Sequence, residues 1–440
     1  MIYSLSQKEI ERRIASRGIK IAVIGLGRVG LPLAATLAGE GFPVTGVDAN
    51  RRVVDKVNQG VSVFPEEVGL GGLLRRIGKG GKLTATTNIA EVSNCDLVII
   101  SVPTLIRDKE PDIDAVKVVA GELARNFPPG KVAVLESTVP PFTTQNVLGK
   151  TIERETGLKA GTDFGLAYSP ERTQAPQVLR DLKTYPKIVG GIDEKSTFIA
   201  SMVYSTFAPG IIKMTSLVAA EIEKVIENAY RDVNIAFANE LAQVCEIYGT
   251  DVYEIIRAAN SQPYSHILSP GLVGGHCIPM DPYYIISDAR RRGITPELMK
   301  TARNVNEAVF QHVAEMIDED SRKVTILGLS FKKDVKSFET SHTLKLARLL
   351  VEKGYEVTVH DPFLDDTQFQ FKTDPNLYHA IAGSDCIILS TAHSKYNQID
   401  FDKVKEIMKG SLIIDIRGIF SPEKVAESGL RYKGLGRISP

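Results

Sequence analysis

The 440-residue sequence predicts an α/β protein with two doubly wound domains joined by a central helical domain containing one long helix. Three observations carry that reading. A glycine-rich turn links a β-branched run to a helical pattern near the N-terminus. An outline of the same pattern returns after residue 320, and between the two a helical stretch runs unbroken from 216 to 249. The domains are expected at residues 1–212, 213–318 and 319–440, in keeping with roughly 150 residues per domain.

The N-terminal signal is KIAVIGLGRVGLPLAATLAGEGFPVTGVDAN, residues 20–50. IAVIG enters G-x-G-x-x-G at Gly25, Gly27 and Gly30, with Arg28 and Val29 inside the turn, and a second strand ends at Asp48. This is the Rossmann-like dinucleotide context. Gly25 permits the tight turn, Gly27 lets a pyrophosphate approach the backbone, and Gly30 lets helix and strand pack closely. The N–H groups at the helix start suit phosphates. Asp48 can accept from a ribose 2′-hydroxyl and would repel a 2′-phosphate, which favours NAD over NADP; Arg51 and Arg52 stand close enough to accommodate that phosphate.

Strands follow in DLVIISVP, KVAVLEST, FGLAYSPE and PKIVGGI, with helical stretches such as DAVKVVAGELARNF between some of them. Ligands of such sheets bind at the carboxyl ends of the strands. Those ends carry Pro103-Thr104, Glu136-Ser137-Thr138 and Ser169-Pro170-Glu171-Arg172.

Along the long helix, Lys224, Asn228 and Arg231 share a face. Apolar residues cover more than one stripe, which predicts packing on several neighbours and a homodimer interface. After residue 320, KVTILGLSFK, SDCIILST and SLIIDIRG echo KIAVIGLGRV, CDLVIISV and KVAVLEST. GLSFKKD lacks the three glycines, so this second Rossmann-like domain should not hold a dinucleotide in the same way. Lys332 and Lys333 at a strand end suit an anion.

Lys plus Arg and Asp plus Glu number 53 each, so no bulk charge points to nucleic acid or a membrane surface. The opening MIYSLSQKEIERRIASRG lacks the apolar core of a secretory signal, no apolar run is long enough to span a bilayer, and a cytoplasmic protein is expected. No C-x-x-C pair suggests a metal site or a disulfide framework. Cys95, Cys245 and Cys386 lie in apolar or helical runs and read as packing residues.

Cys277 differs, because GLVGGHCIPMDP surrounds it with glycine, histidine and proline. The glycines, Gly274 among them, expose the thiol, Asp281 is near enough in sequence to order a water or orient a base, and His276 adds a hydrogen-bond donor. A thiolate attacks a carbonyl carbon, and a nicotinamide cofactor oxidises a hydroxyl to that carbonyl. Together these chemistries describe an enzyme that takes an alcohol to an acid: a thiohemiacetal loses a second hydride to become a thioester, and water releases the carboxylate.

GLGRVGLP, SVPT, ESTV, YSPER, EKVIENAYRDVNIAFANE, PGLVGGHCIPMDP and GLSFKKDVKSFETS occur in that order between about Lys20 and Ser421. At these residues the chain resembles the nucleotide-sugar 6-dehydrogenases, the UDP-glucose/UDP-N-acetylmannosamine dehydrogenase family. The resemblance implies the three-part fold, a homodimer or higher homo-oligomer, and two NAD molecules per UDP-sugar. By this likeness Cys277 matches the nucleophile, Asp281 the partner that helps activate water, and Lys224 the cation that stabilises oxyanions. Asn228 matches a second oxyanion and water-positioning group, Thr138 and Glu171 match residues that order water and relay protons, and Lys332 matches a contact to the sugar nucleotide. Arg172 and Gly274 join the substrate set, while Pro103, Thr104, Ser137 and Thr138 join the glycine turn and Asp48 as NAD contacts.

UDP-glucose enzymes typically read GGSCFPKD around the nucleophile, where this chain has His276, Ile278 and Met280. That version resembles the N-acetylhexosamine branch, with UDP-N-acetylmannosamine favoured over UDP-N-acetylglucosamine. Two stretches depart from the family pattern. Tyr264, Ser265 and His266 stand where relatives often carry an arginine, and Thr173-Gln174-Ala175-Pro176 replaces a frequent Pro-Gly after YSPER. A single-step β-hydroxyacid-type dehydrogenase and a non-catalytic NAD-binding protein are the competing readings. NADH released per substrate separates the three: two, one and none.

Overall fold

A computed structural model describes residues 1–338, 340–365 and 368–437. Glu339 of GLSFKKDVKSFETS and the last three residues of the third expected domain lie outside these. The chain forms two compact units, Met1–Glu227 with Tyr283–Arg292, and Asn228–Pro282 with the chain from Gly293 on.

Short, almost wholly apolar runs become strands because both faces of the sheet are covered. In the first unit these are β1 (Ile21–Ile24), β2 (Val44–Val47), β3 (Leu83–Thr86), β4 (Leu97–Ile100), a hairpin of β5 (Leu105–Arg107) and β6 (Glu110–Asp112), then β7 (Val132–Leu135), β8 (Gly165–Tyr168), β9 (Lys187–Gly191) and β10 (Ile211–Lys213). Eight of them form one sheet in the order β10-β9-β8-β7-β4-β1-β2-β3. Pairing is parallel except between β8 and β9. Alternate residues of β1 enter opposite cores, Ile21 and Val23 on one face, Ala22 and Ile24 on the other. The winding reverses between β1 and β4, the place where doubly wound sheets bind ligands.

The second unit repeats the device with β11 (Lys323–Leu327), β12 (Glu356–His360), β13 (Lys372–Thr373), β14 (Cys386–Leu389), β15 (Leu412–Asp415) and β16 (Arg431–Gly434). Their order is β13-β12-β11-β14-β15-β16, all parallel. The expected echo of the first domain is therefore present strand for strand at its centre. Strand β3, the β5–β6 hairpin and a helix at Glu297–Glu315 were not expected from the sequence.

The long helix spans Leu217–Tyr248. Glu221, Lys224, Asn228, Asp232 and Asn239 are all buried on it, and spacings of three, four, four and seven put them on one stripe. Arg231, at the spacing that places it on the same face as Lys224 and Asn228, is exposed. In the second unit, buried Arg303 of the 297–315 helix lies 2.5 Å from Asp232. It also pairs with Glu307 at 2.6 Å, which in turn receives His342 at 3.2 Å and Lys345.

Burial opposes ionisation of Glu307, but hydrogen bonds from His342 and Lys345 outweigh it and hold the carboxyl below the usual carboxylate range. A depressed folded-state pKa contributes stability above the ordinary value of 4.5 that is lost as the pH falls below it. Urea midpoints measured at about pH 6 and about pH 3.5 should therefore fall further for the wild type than for Glu307→Gln. Equal falls would remove Glu307 from the acid limb of stability.

Candidate active site

The cofactor end of the first unit is shaped by close approach. Gly25 has φ +89°, and a Cβ on it would lie 2.1 Å from the Ser101 carbonyl oxygen; a Cβ on Gly30 would lie 1.9 Å from the Gly25 oxygen. Only glycine fits at either place. A Cβ on Gly27 would meet nothing within 4 Å, so this glycine leaves an open face just ahead of the helix Gly30–Gly39. Asp48, at the end of β2, accepts Leu26 N–H and Asn50 N–H, each at 2.8 Å. Lone pairs remain for a ribose hydroxyl.

Val29 precedes that helix as its N-cap, and Arg28 reaches outward to Glu66 at 2.5 Å. Pro103 and Thr104 follow β4. The hydroxyl of Ser137 accepts Val102 N–H at 2.9 Å and donates to Val102 O at 2.7 Å, which fixes the backbone just before them. An open glycine face at a helix start, beside a carboxylate at the next strand end, fits a dinucleotide whose adenosine ribose carries a free 2′-hydroxyl.

Thr138, Glu171, Arg172 and Lys224 also belong to the first unit. Burial raises the pKa of Glu171, against the opposing pull of the Lys224 charge. Arg172 is engaged with Glu227 and donates to Pro186 O at 3.0 Å. A buried pair missed in the sequence supports these positions: Lys187 Nζ lies 2.7 Å from Glu136 Oε1 and 3.0 Å from Pro170 O. One ammonium thus fastens two strand ends, two residues before Thr138 and one before Glu171. Glu221 accepts Phe142 N–H at 2.6 Å and Thr144 N–H at 2.7 Å, holding the segment that follows Thr138.

The second unit carries Asn228, Gly274, Cys277, Asp281 and Lys332. Cys277 is exposed, while Cys95, Cys245 and Cys386 are buried. Burial pushes the thiols of those three up, away from the reactive thiolate. The Cys277 carbonyl accepts Met280 N–H at 3.1 Å and Asp281 N–H at 2.7 Å, closing a turn. Asp281, 5 % exposed, accepts from Asn228 Nδ2 at 2.6 Å.

The glycines before the thiol have a second purpose beyond exposing it. A Cβ on Gly274 or Gly275 would lie 2.7 or 2.9 Å from Phe331, the residue before Lys332. They let the cysteine loop press against the GLSFKKD loop. Gly274, Ser330, Thr343, Ser390 and Arg417 line a small polar recess there, with room for about one water, about 10 Å³. Arg417 was not singled out in the sequence, although DIRG sits at a strand end that echoes ESTV; the strand-end rule applied to the second domain would have found it.

Asp361 stands in the second unit as Asp48 does in the first, accepting Leu329 N–H at 2.7 Å and Phe363 N–H at 2.8 Å. It is buried, however, and also takes Ser330 N–H at 2.8 Å and His393 Nε2 at 3.1 Å. A histidine thus meets the carboxylate that a ribose would need.

Residues 19–208, 218–308 and 325–422 match the NAD binding, central and UDP binding domains of the UDP-glucose/GDP-mannose dehydrogenase family. UDP-N-acetyl-D-mannosamine dehydrogenase of Pyrococcus horikoshii is 32% identical over 431 residues, 95% of this chain and 99% of that protein. A solved structure of the P. horikoshii enzyme superposes with a TM-score of 0.88 at 32% identity, covering 96% of this chain and all of that one. NDP-N-acetyl-D-galactosaminuronic acid dehydrogenase from Methanosarcina mazei Go1 gives a TM-score of 0.86 at 32% identity, with 99% of each chain covered. Fold, glycine turn and family match define an NAD-dependent oxidoreductase of a class that acts on nucleotide sugars. The chain belongs to the UDP-glucose/GDP-mannose dehydrogenase family. Among the described residues no helix is long and apolar enough to cross a membrane.

Removing one partner of a buried ion pair strands the other. Lys187→Met should therefore cost about 3–5 kcal/mol of unfolding free energy in urea titrations. An unchanged midpoint would show that Glu136 needs no counter-charge.

Proposed function

We propose that the protein is a cytoplasmic UDP-N-acetylhexosamine 6-dehydrogenase that takes the C6 hydroxyl to the carboxylate in two oxidations, with UDP-N-acetylmannosamine as the preferred sugar nucleotide. The observation that carries the reading is the exposed Cys277, in a turn closed by Asp281, in a chain whose other cysteines are buried. The mannosamine preference is supported by GGHCIPMD and by the named activity of the P. horikoshii relative. In this reading residues 1–212 bind NAD, 213–318 carry the nucleophile loop, and 319–440 bind the UDP moiety. The uronate formed suits polysaccharide biosynthesis.

Gly25, Gly27, Arg28, Val29, Gly30, Asp48, Pro103, Thr104, Ser137 and Thr138 would hold NAD, which when bound supplies the hydride acceptor. Cys277 Sγ adds to the C6 aldehyde carbon, forming a thiohemiacetal whose oxidation yields the thioester. Lys224 and Asn228 stabilise the negative oxygen in both additions. Asp281 helps activate the water that displaces the thiolate, and Thr138 and Glu171 order that water and relay its proton. Arg172, Gly274 and Lys332 orient the sugar nucleotide.

A second part of the reading is assembly. Tyr230, Phe237, Val244 and Tyr248 are exposed at spacings of seven, seven and four along the long helix, 57 % and 53 % for the first two. With Leu298 and Val305 of the 297–315 helix, Tyr230 and Phe237 form an apolar groove. Such a stripe is costly in water, and a second copy of the chain, related by a twofold axis, would cover it.

Initial rates on UDP-glucose, UDP-N-acetylglucosamine, UDP-N-acetylmannosamine and UDP-N-acetylgalactosamine with excess NAD should be highest for the mannosamine nucleotide, with two NADH per sugar. Cys277→Ala should lose the four-electron reaction by orders of magnitude while NAD still binds. Two NADH per sugar from that variant at near wild-type rate would rule out covalent catalysis at Cys277. Light scattering at micromolar concentration should find a dimer, and Phe237→Glu should shift it toward monomer; a fully active wild-type monomer would sink the assembly.

A further inference from the structure

We infer that Asn239 is the positioning residue of the nucleophile loop, holding Cys277 in place through the peptide of Gly271. This rests on the reading of Cys277 as nucleophile. Asn239 lies on the long helix and is 1 % exposed. Its Oδ1 accepts Gly271 N–H at 2.7 Å, and its Nδ2 donates to Gly271 O at 3.2 Å and to Asn306 Oδ1 at 2.8 Å. Each polar group of the carboxamide therefore has a partner.

A chain of buried groups dictates which way that carboxamide faces. Arg303 donates to Asp232 Oδ1 at 2.5 Å, and the Asp232 backbone oxygen can only accept. Asn306 must turn its NH₂ to Asp232, at 2.9 Å from the backbone oxygen and 2.8 Å from Oδ1. The Asn306 oxygen then faces Asn239 and demands an N–H from it, which leaves the Asn239 oxygen for Gly271. The acceptors of Asp232 thus fix the orientation of two amides in series and, through them, one peptide of the loop.

That peptide is a point where the loop has little freedom. Gly271 has φ +145°, and a Cβ there would lie 2.6 Å from Arg417 Nη1. Downstream, Gly275 N–H reaches Thr340 O at 3.1 Å, and Asp281 is held by Asn228. Cys277 therefore lies between two anchors supplied by the same face of one helix, Asn239 before it and Asn228 after it. Those asparagines are eleven residues apart, three helical turns, or about 16 Å along the axis. The helix acts as a ruler for the loop. A misplacement of about 1 Å costs on the order of a hundredfold in rate.

Asn239→Asp keeps the shape and replaces the NH₂ donor by an oxygen facing Gly271 O and Asn306 Oδ1. Protonation of that carboxyl restores a donor, so the defect should shrink as the pH falls. At about pH 8, kcat should fall about 10- to 100-fold, with KM for NAD unchanged within about twofold and the kcat ratio to wild type recovering toward about pH 6. Alkylation of Cys277 by iodoacetamide, followed by peptide mass spectrometry without substrate, should change rate by more than about threefold. If the aspartate variant does not fold, Asn239→Ser is held to the same kcat, KM and alkylation criteria. Wild-type kcat and alkylation in a folded variant would overturn the proposal, and so would a loss that falls equally on NAD binding, thermal midpoint and kcat with no recovery at low pH. Cys277→Ala run in parallel separates the two ideas. If it still yields two NADH per sugar, the nucleophile reading fails; if it is inactive while Asn239→Asp behaves as wild type, only the positioning role fails.

Discussion

The long helix buries five polar side chains along one stripe, and the fold has to answer each of them. Burying an unpaired amide, carboxylate or ammonium costs several kcal/mol, so a stripe of this kind survives only if every member meets a partner. Glu221 meets the Phe142 and Thr144 amides, Asn228 the Asp281 carboxylate, Asp232 the Arg303 guanidinium and Asn239 the Gly271 peptide, while the Lys224 charge opposes the effect of burial on the Glu171 carboxyl. Those partners come from segments far apart in the sequence. The helix is thereby a template that locates loops, and its polar residues set positions more than they add net stability.

The two Rossmann-like sheets show how one plan is used differently. Each has an aspartate at the end of its second strand that gathers the N–H groups of the preceding turn. Asp48 stays half-buried and keeps lone pairs for a ligand, whereas Asp361 is buried and receives His393 as well. In the first sheet the carboxylate keeps accepting capacity beyond its own turn, and in the second it is an internal strut for the GLSFKKD loop.

Much of this was legible in the sequence because the signals are local. Strands such as IAVI and CIIL announce themselves by apolar continuity, the glycine turn by its spacing, and Cys277 by neighbours no packing cysteine would choose. Lys224 and Asn228 could be placed on one face by counting. What could not be read is pairing across the fold. Lys187 and Glu136 are separated by 51 residues and neither stands in a motif that names the other. Asn239 reads as an ordinary polar helix residue, and the 297–315 helix was overlooked because Arg303 and Asn306 interrupt its apolar face where they enter the buried network. No composition shift marks residues 283–292 as part of the first unit either.

That last segment bears on how the protein is made. The β5–β6 hairpin presents Glu110 to Ser287, Arg290 and Arg291, on a helix encoded long after the sheet it joins. While the ribosome is still translating the long helix, the N-terminal sheet has all its strands yet lacks this helix, and Glu110 waits for its three partners. The first unit is therefore completed by a segment made after the chain that carries Cys277. Synthesis order thus places the Cys277 loop ahead of the last piece of the unit that matches the family's NAD binding domain.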